Sequence, residues 1–356
     1  GKKNDGNKFV EQAIQKKASI TVVNKIQKKL PINKQASSIN PLGLLTETAK
    51  IFRKNISTNI IAITGSCGKT SLKELLGNTL NKVSKTTISP KSYNNKYGVP
   101  LSLFNLRQND EFGVFEVGMD KKGEIDNLTK IIKPDLGIIT NISYAHSKNF
   151  KNINQIAKAK AEIINNIKKD GIIILNKDDN FYDYHKKLAF KKKIKVISFG
   201  INKKSSMIKL IRIKKIKNKY DLSIKLNSSK ISFYSNNDNK SHLYNILATL
   251  ASIYLFIDIK KLKKDVFLKF KIPNGRGDIS KIKFKNKKLF LVDESYNSNP
   301  LSLKLAIENY DKIESKNSKK YLVLGDMLEL GKHSVKQHKL ISEILNKTKI
   351  NKVYVF

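Results

Sequence analysis

From Asn59 onward, short and wholly apolar runs alternate with stretches of helical spacing. IIAIT (60–64), FGVFEV (112–117), LGIIT (136–140), GIIIL (171–175) and KVISF (195–199) are too short for helices and lack polar alternation. They therefore read as strands covered on both faces. Such strands separated by helices predict an α/β architecture, a mainly parallel sheet with helices on both sides. Residues 208–235 alternate without helical spacing and predict a hairpin-rich insertion. SHLYNILATLASIYLF (241–256) predicts an apolar helix packed on the sheet.

The two ends differ in texture. Residues 1–55 are polar and Lys-rich, with a helical pattern near Phe9–Ala18 and a Pro-punctuated stretch from Pro31 to Pro41. They are too sparse for an independent core. After Gly277 a second α/β pattern begins. LFLVD (289–293) leads to a helix after Pro300, YLVLGD (321–326) to another near His338, and KVYVF (352–356) reads as a third strand. The expected organisation is a partial N-terminal domain (1–56), a central P-loop-type domain with a mainly parallel sheet (57–284), and a partial Rossmann-like C-terminal domain (285–356). No helix follows the last strand, so a fragment is expected.

Composition changes this picture in one respect. The chain has 70 Lys and Arg against 29 Asp and Glu, a net charge of +41 over 356 residues. Dense basic charge suits phosphate-rich partners. Here the lysines are spread through every segment together with inflated Asn and Ile, without a basic tail, so no specific nucleic acid is expected. No apolar run approaches the ~18 residues of a membrane span, and no export signal opens the chain. With Cys67 as the single cysteine, no intrachain disulfide is available, which suits a reducing, cytoplasmic compartment. A monomer is expected.

Two local patterns carry chemistry. Ile60–Ser71 reads IIAITGSCGKTS, a buried strand, a Gly turn, then Lys-Thr opening a helix. In such a loop Gly65, Ser66, Cys67 and Gly68 present backbone N–H groups to phosphate, Lys69 neutralises it, and the Thr70 hydroxyl binds Mg²⁺. The spacing G-x-x-G-K-T is shorter than the general phosphate-loop pattern, with Ile63 where the first Gly would stand. Cys67 has no partner base nearby and reads as a small loop filler rather than a nucleophile. The second pattern lies in INQIAKAKAEIINNI (153–167), where Ile153, Ile156, Ile164 and Ile167 follow helical spacing and Lys160 fills the missing inward step. An inward lysine needs a partner, must lose its charge, or snorkels to an edge. Lys158 and Lys168 lie off the stripe.

TGSCGKTS, YNNKYGVPLSL (93–103), FEVGMDKKGEI (115–125), ITNISYAH (139–146), AKAKAEI (157–163), GRGDI (275–279), VDESYNSNP (292–300) and LGDMLELG (324–331) occur in the order seen in Mur ligases. The chain resembles that family over most of 59–338, and YNSNP and LGDMLELG resemble its D-alanyl-D-alanine-adding branch. NDGNKFVEQAIQKKA resembles a segment of the family's UDP-binding domain, with Asn7 in place of His.

The resemblance implies roles. Lys160 matches a carbamylated lysine, and Glu116, His146 and Thr70 match the other ligands of two Mg²⁺ ions. Asn245 matches an adenine contact, although His242 stands where the family often has Asn. Arg276 matches a residue near the triphosphate and Asp293 one at the ribose. Asn94 and Asn95 are implied near the muropeptide or γ-phosphate, and Asn297, Asn299 and Asp326 near ATP and the incoming dipeptide. The last three also suit turns and helix caps. The implied substrates are ATP, UDP-N-acetylmuramoyl-tripeptide and D-alanyl-D-alanine, joined through an acyl phosphate. Lys69, Lys160 and His146 are the implied catalytic residues. A related Mur ligase, a folylpolyglutamate-type synthetase, a nucleotide-binding fragment without activity, and a P-loop nucleic-acid motor remain open alternatives.

Overall fold

The chain divides into two compact units, Gly1–Ile56 and Ser57–Phe356. The computed structural model describes residues 5–203, 205–284, 287–313 and 318–356. In the first unit, α1 (Val10–Gln15) precedes β1 (Thr21–Val23), which pairs in parallel with β2 (Gln35–Ser37). The Gln35 amide fastens their connection: its Oε1 accepts from Gln27 N at 2.9 Å and its Nε2 donates to Gln27 O at 3.0 Å. α2 (Pro41–Lys54) starts where Asn40 caps the Gly43 N–H and Pro41 supplies a preset φ.

In the second unit each predicted run is a strand. The chain passes through β3 (Asn59–Thr64), α3 (Lys69–Leu80), β4 (Thr86–Ile88), α4 (Gly98–Leu103), β5 (Phe112–Glu116), α5 (Glu124–Ile132) and β6 (Leu136–Ile139). It continues through α6 (Ile153–Lys160), β7 (Ile172–Asn176), α7 (Tyr182–Lys191) and β8 (Lys195–Gly200). Next come β9 (Ile208–Ile216), β10 (Lys219–Leu226), β11 (Ser229–Ser235) and α8 (Lys240–Ile253). They build one sheet in the order β11-β10-β9-β8-β7-β6-β3-β5-β4, parallel from β4 to β9 and antiparallel beyond. The hairpins of 208–235 are thus not a separate insertion. Pairs Phe199↔Ile208 and Gly200↔Lys209 continue the sheet through them. Leu72, Leu75, Leu76 and Leu80 of α3 share a core with Leu243–Ile253 of α8 and the apolar strand residues.

Chain order reverses around β3, whose neighbours are β5 on one side and β6 on the other. Open α/β sheets bind ligands outside the carboxyl ends of strands at such a switch point. The loops that follow β3, β5 and β6 therefore bring 65–68, 117–123 and 140–152 to one edge.

The remaining elements are β12 (Asp278–Phe284), β13 (Lys287–Asp293), α9 (Pro300–Lys312), β14 (Tyr321–Leu324), α10 (Ser334–Leu345) and β15 (Lys352–Val355). The expected strand 289–293 forms an antiparallel hairpin with β12, whereas β14 and β15 pair in parallel with each other. Periodicity gave no hint of β12, whose Asp-Ile-Ser-Lys-Ile-Lys run is half charged and spaces its isoleucines three apart rather than two. The expected boundary at 284/285 abuts Lys285 and Asn286, which lie outside the described residues. Ile307, Met327, Leu330 and Ile341 form a small core here, and Tyr144 from the loop after β6 packs against it.

Candidate active site

A cavity of about 370 Å³ opens where the α3 N-terminus, the loops after β4 and β6, the end of β5, α8 and α9 meet. Ser66, Cys67, Gly68, Lys69 and Thr70 form part of its wall, with Asn94, Glu116, His146, Asn245, Arg276, Asn297 and Asn299. Asn95, Lys160, Asp293 and Asp326 are not in that wall.

The phosphate-type turn is held by its neighbours. Ser66 N donates to Asn141 O at 2.9 Å, Cys67 N to Asn141 Oδ1 at 3.0 Å, and Thr140 Oγ1 to Cys67 O at 2.8 Å. Gly65 has φ +149°, and a Cβ there would lie 1.8 Å from Thr140 Oγ1. Gly68 has φ +82° and precedes Lys69, the first residue of α3, with no side-chain cap. The first N–H groups of a helix have no partner within it. Uncapped and facing a cavity, they form a ready receptor for phosphate oxygens. The Cys67 thiol is pushed up to about 11 by desolvation, so it is a poor nucleophile at neutral pH.

Two lysines meet at one oxygen. Lys69 Nζ and Lys160 Nζ each donate to Gly65 O at 3.0 Å. Lys160 is the last residue of α6 and only 2 % exposed. The expected single helix 153–167 breaks there into a 3-10 segment, Ala161–Asn166. Of the expected stripe, Ile156, Lys160, Ile164 and Ile167 are buried and Ile153 is half-buried, while Lys158 and Lys168 are exposed. Burial, reinforced by the Lys69 charge, drives the Lys160 amine well below its usual range, which favours the uncharged form of the amine.

Glu116 closes β5 and is 2 % exposed. Its Oε2 accepts from Thr70 Oγ1 at 2.7 Å, and its Oε1 from Asn94 Nδ2 at 2.7 Å. An ionised carboxylate has about four lone-pair directions, so roughly two remain for a cation. His146, in the left-handed region at φ +53°, is half-buried, and its Nδ1 contacts Glu329 Oε2. Burial, then the Lys69 charge, lower its pKa below the ordinary value. Its Nε2 makes no hydrogen bond among the described residues. The buried Glu116 carboxylate and the Thr70 hydroxyl supply hard oxygen donors of the kind that suit Mg²⁺, with the His146 imidazole on the same cavity wall.

A model of the Mur ligase middle domain matches residues 63–253. The chain belongs to the Mur ligase family. UDP-N-acetylmuramoyl-tripeptide–D-alanyl-D-alanine ligase of Buchnera aphidicola subsp. Acyrthosiphon pisum is 33% identical over 99% of this chain and 76% of that protein. The same-named ligase of Rickettsia prowazekii is 32% identical, over 99% of this chain and 77% of that protein. Among solved structures, MurF ligase from Thermotoga maritima in complex with ADP superposes with a TM-score of 0.84. It shares 26% identity and covers all of this chain and 79% of that one. The chain is thus an ATP-dependent ligase of the Mur type.

Within this Mur ligase the remaining residues fall into three groups. Asn245 is buried, and its Oδ1 would be 3.4 Å from a Cβ on Gly68. Arg276 lies 4.0 Å above the Tyr296 ring, and Tyr296 donates its hydroxyl to Ser92 Oγ at 2.7 Å. Asn299 lies at the wall but caps α9, its Oδ1 accepting from Leu301 N and Ser302 N. Asn95 Oδ1 likewise accepts from Tyr97 N and Gly98 N at 3.1 and 3.0 Å, and Asp293 Oδ1 from Ser295 N at 2.9 Å. Asp326 is largely exposed, 3.7 Å from His338 Nε2. That nitrogen accepts from Met327 N at 3.1 Å, so it carries no proton to pair with the carboxylate.

Phe270, in the wall, and Lys73, behind it, were not singled out in the sequence, and His242 entered only as a departure from the family pattern. His242 stacks on Phe270 with rings 5.8 Å apart and 11° from parallel, and its buried Nε2 has no hydrogen-bond partner among the described residues. Burial holds this imidazole down at about 4. Phe270 lies in an irregular stretch, which periodicity leaves silent. Lys73, fully buried one turn after Lys69, donates to the carbonyls of Ser89 and Lys91 and ties down the loop carrying Asn94.

Proposed function

We propose that this chain joins D-alanyl-D-alanine to UDP-N-acetylmuramoyl-tripeptide, with cleavage of ATP to ADP and phosphate, in peptidoglycan precursor synthesis. The observation that supports it most is the convergence of Lys69 and the buried Lys160 on Gly65 O, beside an uncapped helix N-terminus and the Glu116 carboxylate.

The chemistry needs two anions to meet. A carboxylate oxygen of the tripeptide attacks the γ-phosphorus of ATP, ADP leaves, and an acyl phosphate forms. The dipeptide amine attacks the acyl carbon, loses a proton, and phosphate departs with the bridging oxygen. The N–H groups at the α3 start and Lys69 bind phosphate oxygens and offset their repulsion of the carboxylate. The His242–Phe270 pair and Asn245 bound the end of the cavity that receives the base. Arg276, fixed over Tyr296, adds positive charge on the opposite wall. Closing such a site against water favours amine over hydrolysis.

Thr70, Glu116, His146 and Lys160 would hold two Mg²⁺ ions, which when bound neutralise phosphate charge. Lys160 serves there as a carbamate: its amine nitrogen adds to the carbon of CO₂ and loses a proton, and burial favours the uncharged amine that this addition needs. Asn94, Asn95, Asn297, Asn299 and Asp326 are assigned to the two substrates. Residues 1–56, 57–284 and 285–356 act as UDP-substrate, ATP and dipeptide domains. The enzyme works as a cytoplasmic monomer; no helix among the described residues is long and apolar enough to cross a membrane.

Phosphate release is the test. It should require ATP, UDP-N-acetylmuramoyl-tripeptide and D-alanyl-D-alanine together, falling to background when either acceptor is omitted. Release indifferent to both acceptors would overturn the assignment.

A further inference from the structure

The loop that carries His146 is clasped by a segment nearly two hundred residues away. Lys148 N donates to Glu329 O at 2.8 Å, and Ser147 Oγ to Leu330 O at 3.2 Å. His333 Nε2 lies 3.2 Å from Phe150 O, and its ring sits 4.9 Å from that of Tyr144. Gly331 has φ +57°, and a Cβ there would come within 2.8 Å of Lys148 Cα. Both His146 and Glu329 adopt left-handed backbone, at φ +53° and +63°. Non-glycine residues hold that conformation only where the surroundings fix it.

At the centre of this contact the Glu329 carboxylate meets His146 Nδ1. A carboxylate only accepts, so Nδ1 carries the proton and the lone pair is left on Nε2. Asp120 approaches the same imidazole, the three ligand atoms lying within 4.8 Å of one another. Lys148 Nζ is 3.9 Å from both Asp120 Oδ1 and Glu329 Oε1. That lysine already supplies a cation between the two acids, so the trio needs no metal ion to balance its charge.

We propose that Glu329 is a positioning residue: from the C-terminal part of the chain it fixes His146 as the Nδ1–H tautomer and turns Nε2 toward the nucleotide cavity. The proposal rests on the reading of His146 as a ligand in the ligase site. It gives the end of LGDMLELG a task. The segment that buries Met327 and Leu330 in the C-terminal core also sets the imidazole of the central sheet, so docking of one completes the other. Glu329 and His146 are both partly exposed, at 41% and 29% of their side chains. Such a solvent-screened pair contributes little to stability, which separates orientation from simple support.

The test uses the full chain labelled with ¹⁵N-histidine, which has only five imidazoles to assign. Long-range ¹H–¹⁵N correlation at one mildly alkaline pH reads each tautomer directly, without substrates. His146 should be Nδ1–H in the unaltered protein, and largely Nε2–H in Glu329→Ala. It should remain Nδ1–H in Glu329→Gln, whose amide oxygen still accepts. Mn²⁺ binding in the presence of ADP, followed by electron paramagnetic resonance, should weaken about 10–100-fold in Glu329→Ala and less in Glu329→Gln. An Nε2–H His146 in the unaltered protein, or no tautomer change in Glu329→Ala, overturns the proposal. So does a changed tautomer with Mn²⁺ affinity within about twofold of the unaltered protein. Failure of the ligase reading would show separately, as phosphate release indifferent to the acceptors. If Glu329→Ala does not fold, Glu329→Gln carries the comparison: a retained Nδ1–H with near-parental Mn²⁺ affinity supports the proposal, and a lost Nδ1–H with Mn²⁺ affinity within about twofold of the unaltered protein overturns it.

Discussion

Replacing Gly65 by Ala strikes the one carbonyl on which Lys69 and Lys160 converge. The new Cβ would stand 1.8 Å from Thr140 Oγ1, 3.0 Å from Thr140 Cβ and 3.1 Å from Thr140 N, at φ +149°. That backbone region is nearly reserved for glycine, and holding another residue there costs about 1–3 kcal/mol. The Thr140 hydroxyl must also swing away from Cys67 O, to which it donates at 2.8 Å, at a cost of about 1 kcal/mol. Gly65→Ala should therefore destabilise the chain by about 2–4 kcal/mol. If the loop relaxes instead, Gly65 O moves away from Lys69 Nζ and Lys160 Nζ, and ADP affinity should fall roughly tenfold or more. Urea denaturation and calorimetric ADP titration read the two effects. A cycle with Thr140→Ala sharpens the argument, because the hydroxyl is lost only once. The double variant should be less destabilised than the sum of the singles by about 1 kcal/mol. A Gly65→Ala protein within about 0.5 kcal/mol of the parent, binding ADP unchanged, would refute the constraint described for this turn.

Three further outcomes follow from the same geometry. Lys160→Arg introduces a cation that can be neither neutralised nor carbamylated, so turnover should drop at least about 100-fold; steady-state kinetics at parental rate would contradict the role given to Lys160. His185 is buried, and its pKa is lowered to about 4 from 6.5. Below about pH 6.5 the unfolded chain binds a proton that the folded one refuses until about pH 4, so stability falls across that window as pH drops. At about 1.4 kcal/mol per unit the loss approaches about 3 kcal/mol. His185→Leu should flatten the slope of denaturation midpoint against pH, and an unchanged slope would exclude His185 as its source. Phe270→Ala removes the ring stacked on His242, and ADP binding should weaken about threefold to tenfold, the worth of a ring contact; fluorescence titration with unaltered affinity would place the base elsewhere.

What the sequence disclosed and what it withheld follow from the range of the interactions. Strand and helix identity rest on local period, so the five apolar runs and the inward step of Lys160 were readable from neighbours three and four residues away. The phosphate turn was readable for the same reason, since strand, glycines and Lys-Thr are contiguous. Pairing is a different matter. Nothing within 208–235 says that β9 adds to β8 rather than forming a sheet apart, because only two residue pairs make that join. The pairing of 289–293 with 278–284 was equally hidden, as β12 carries charges at 278, 281 and 283 and little apolar weight. The break of the helix after Lys160 depends on tertiary packing, which overrides propensity. The least legible features are contacts across long separations: His146 with Glu329, Phe270 with His242, Tyr296 with Ser92. Asn297, Asn299 and Asp326 looked alike in the sequence, yet the structure caps a helix with one, turns one to the cavity and leaves one in solvent.

The most direct test follows oxygen. UDP-N-acetylmuramoyl-tripeptide labelled with ¹⁸O in its terminal carboxylate would be turned over with ATP and D-alanyl-D-alanine, and the released phosphate weighed by mass spectrometry. Passage through an acyl phosphate carries one ¹⁸O into each phosphate formed. Phosphate free of label, with ATP consumed at the same rate, would mean that water rather than the substrate acid takes the phosphoryl group.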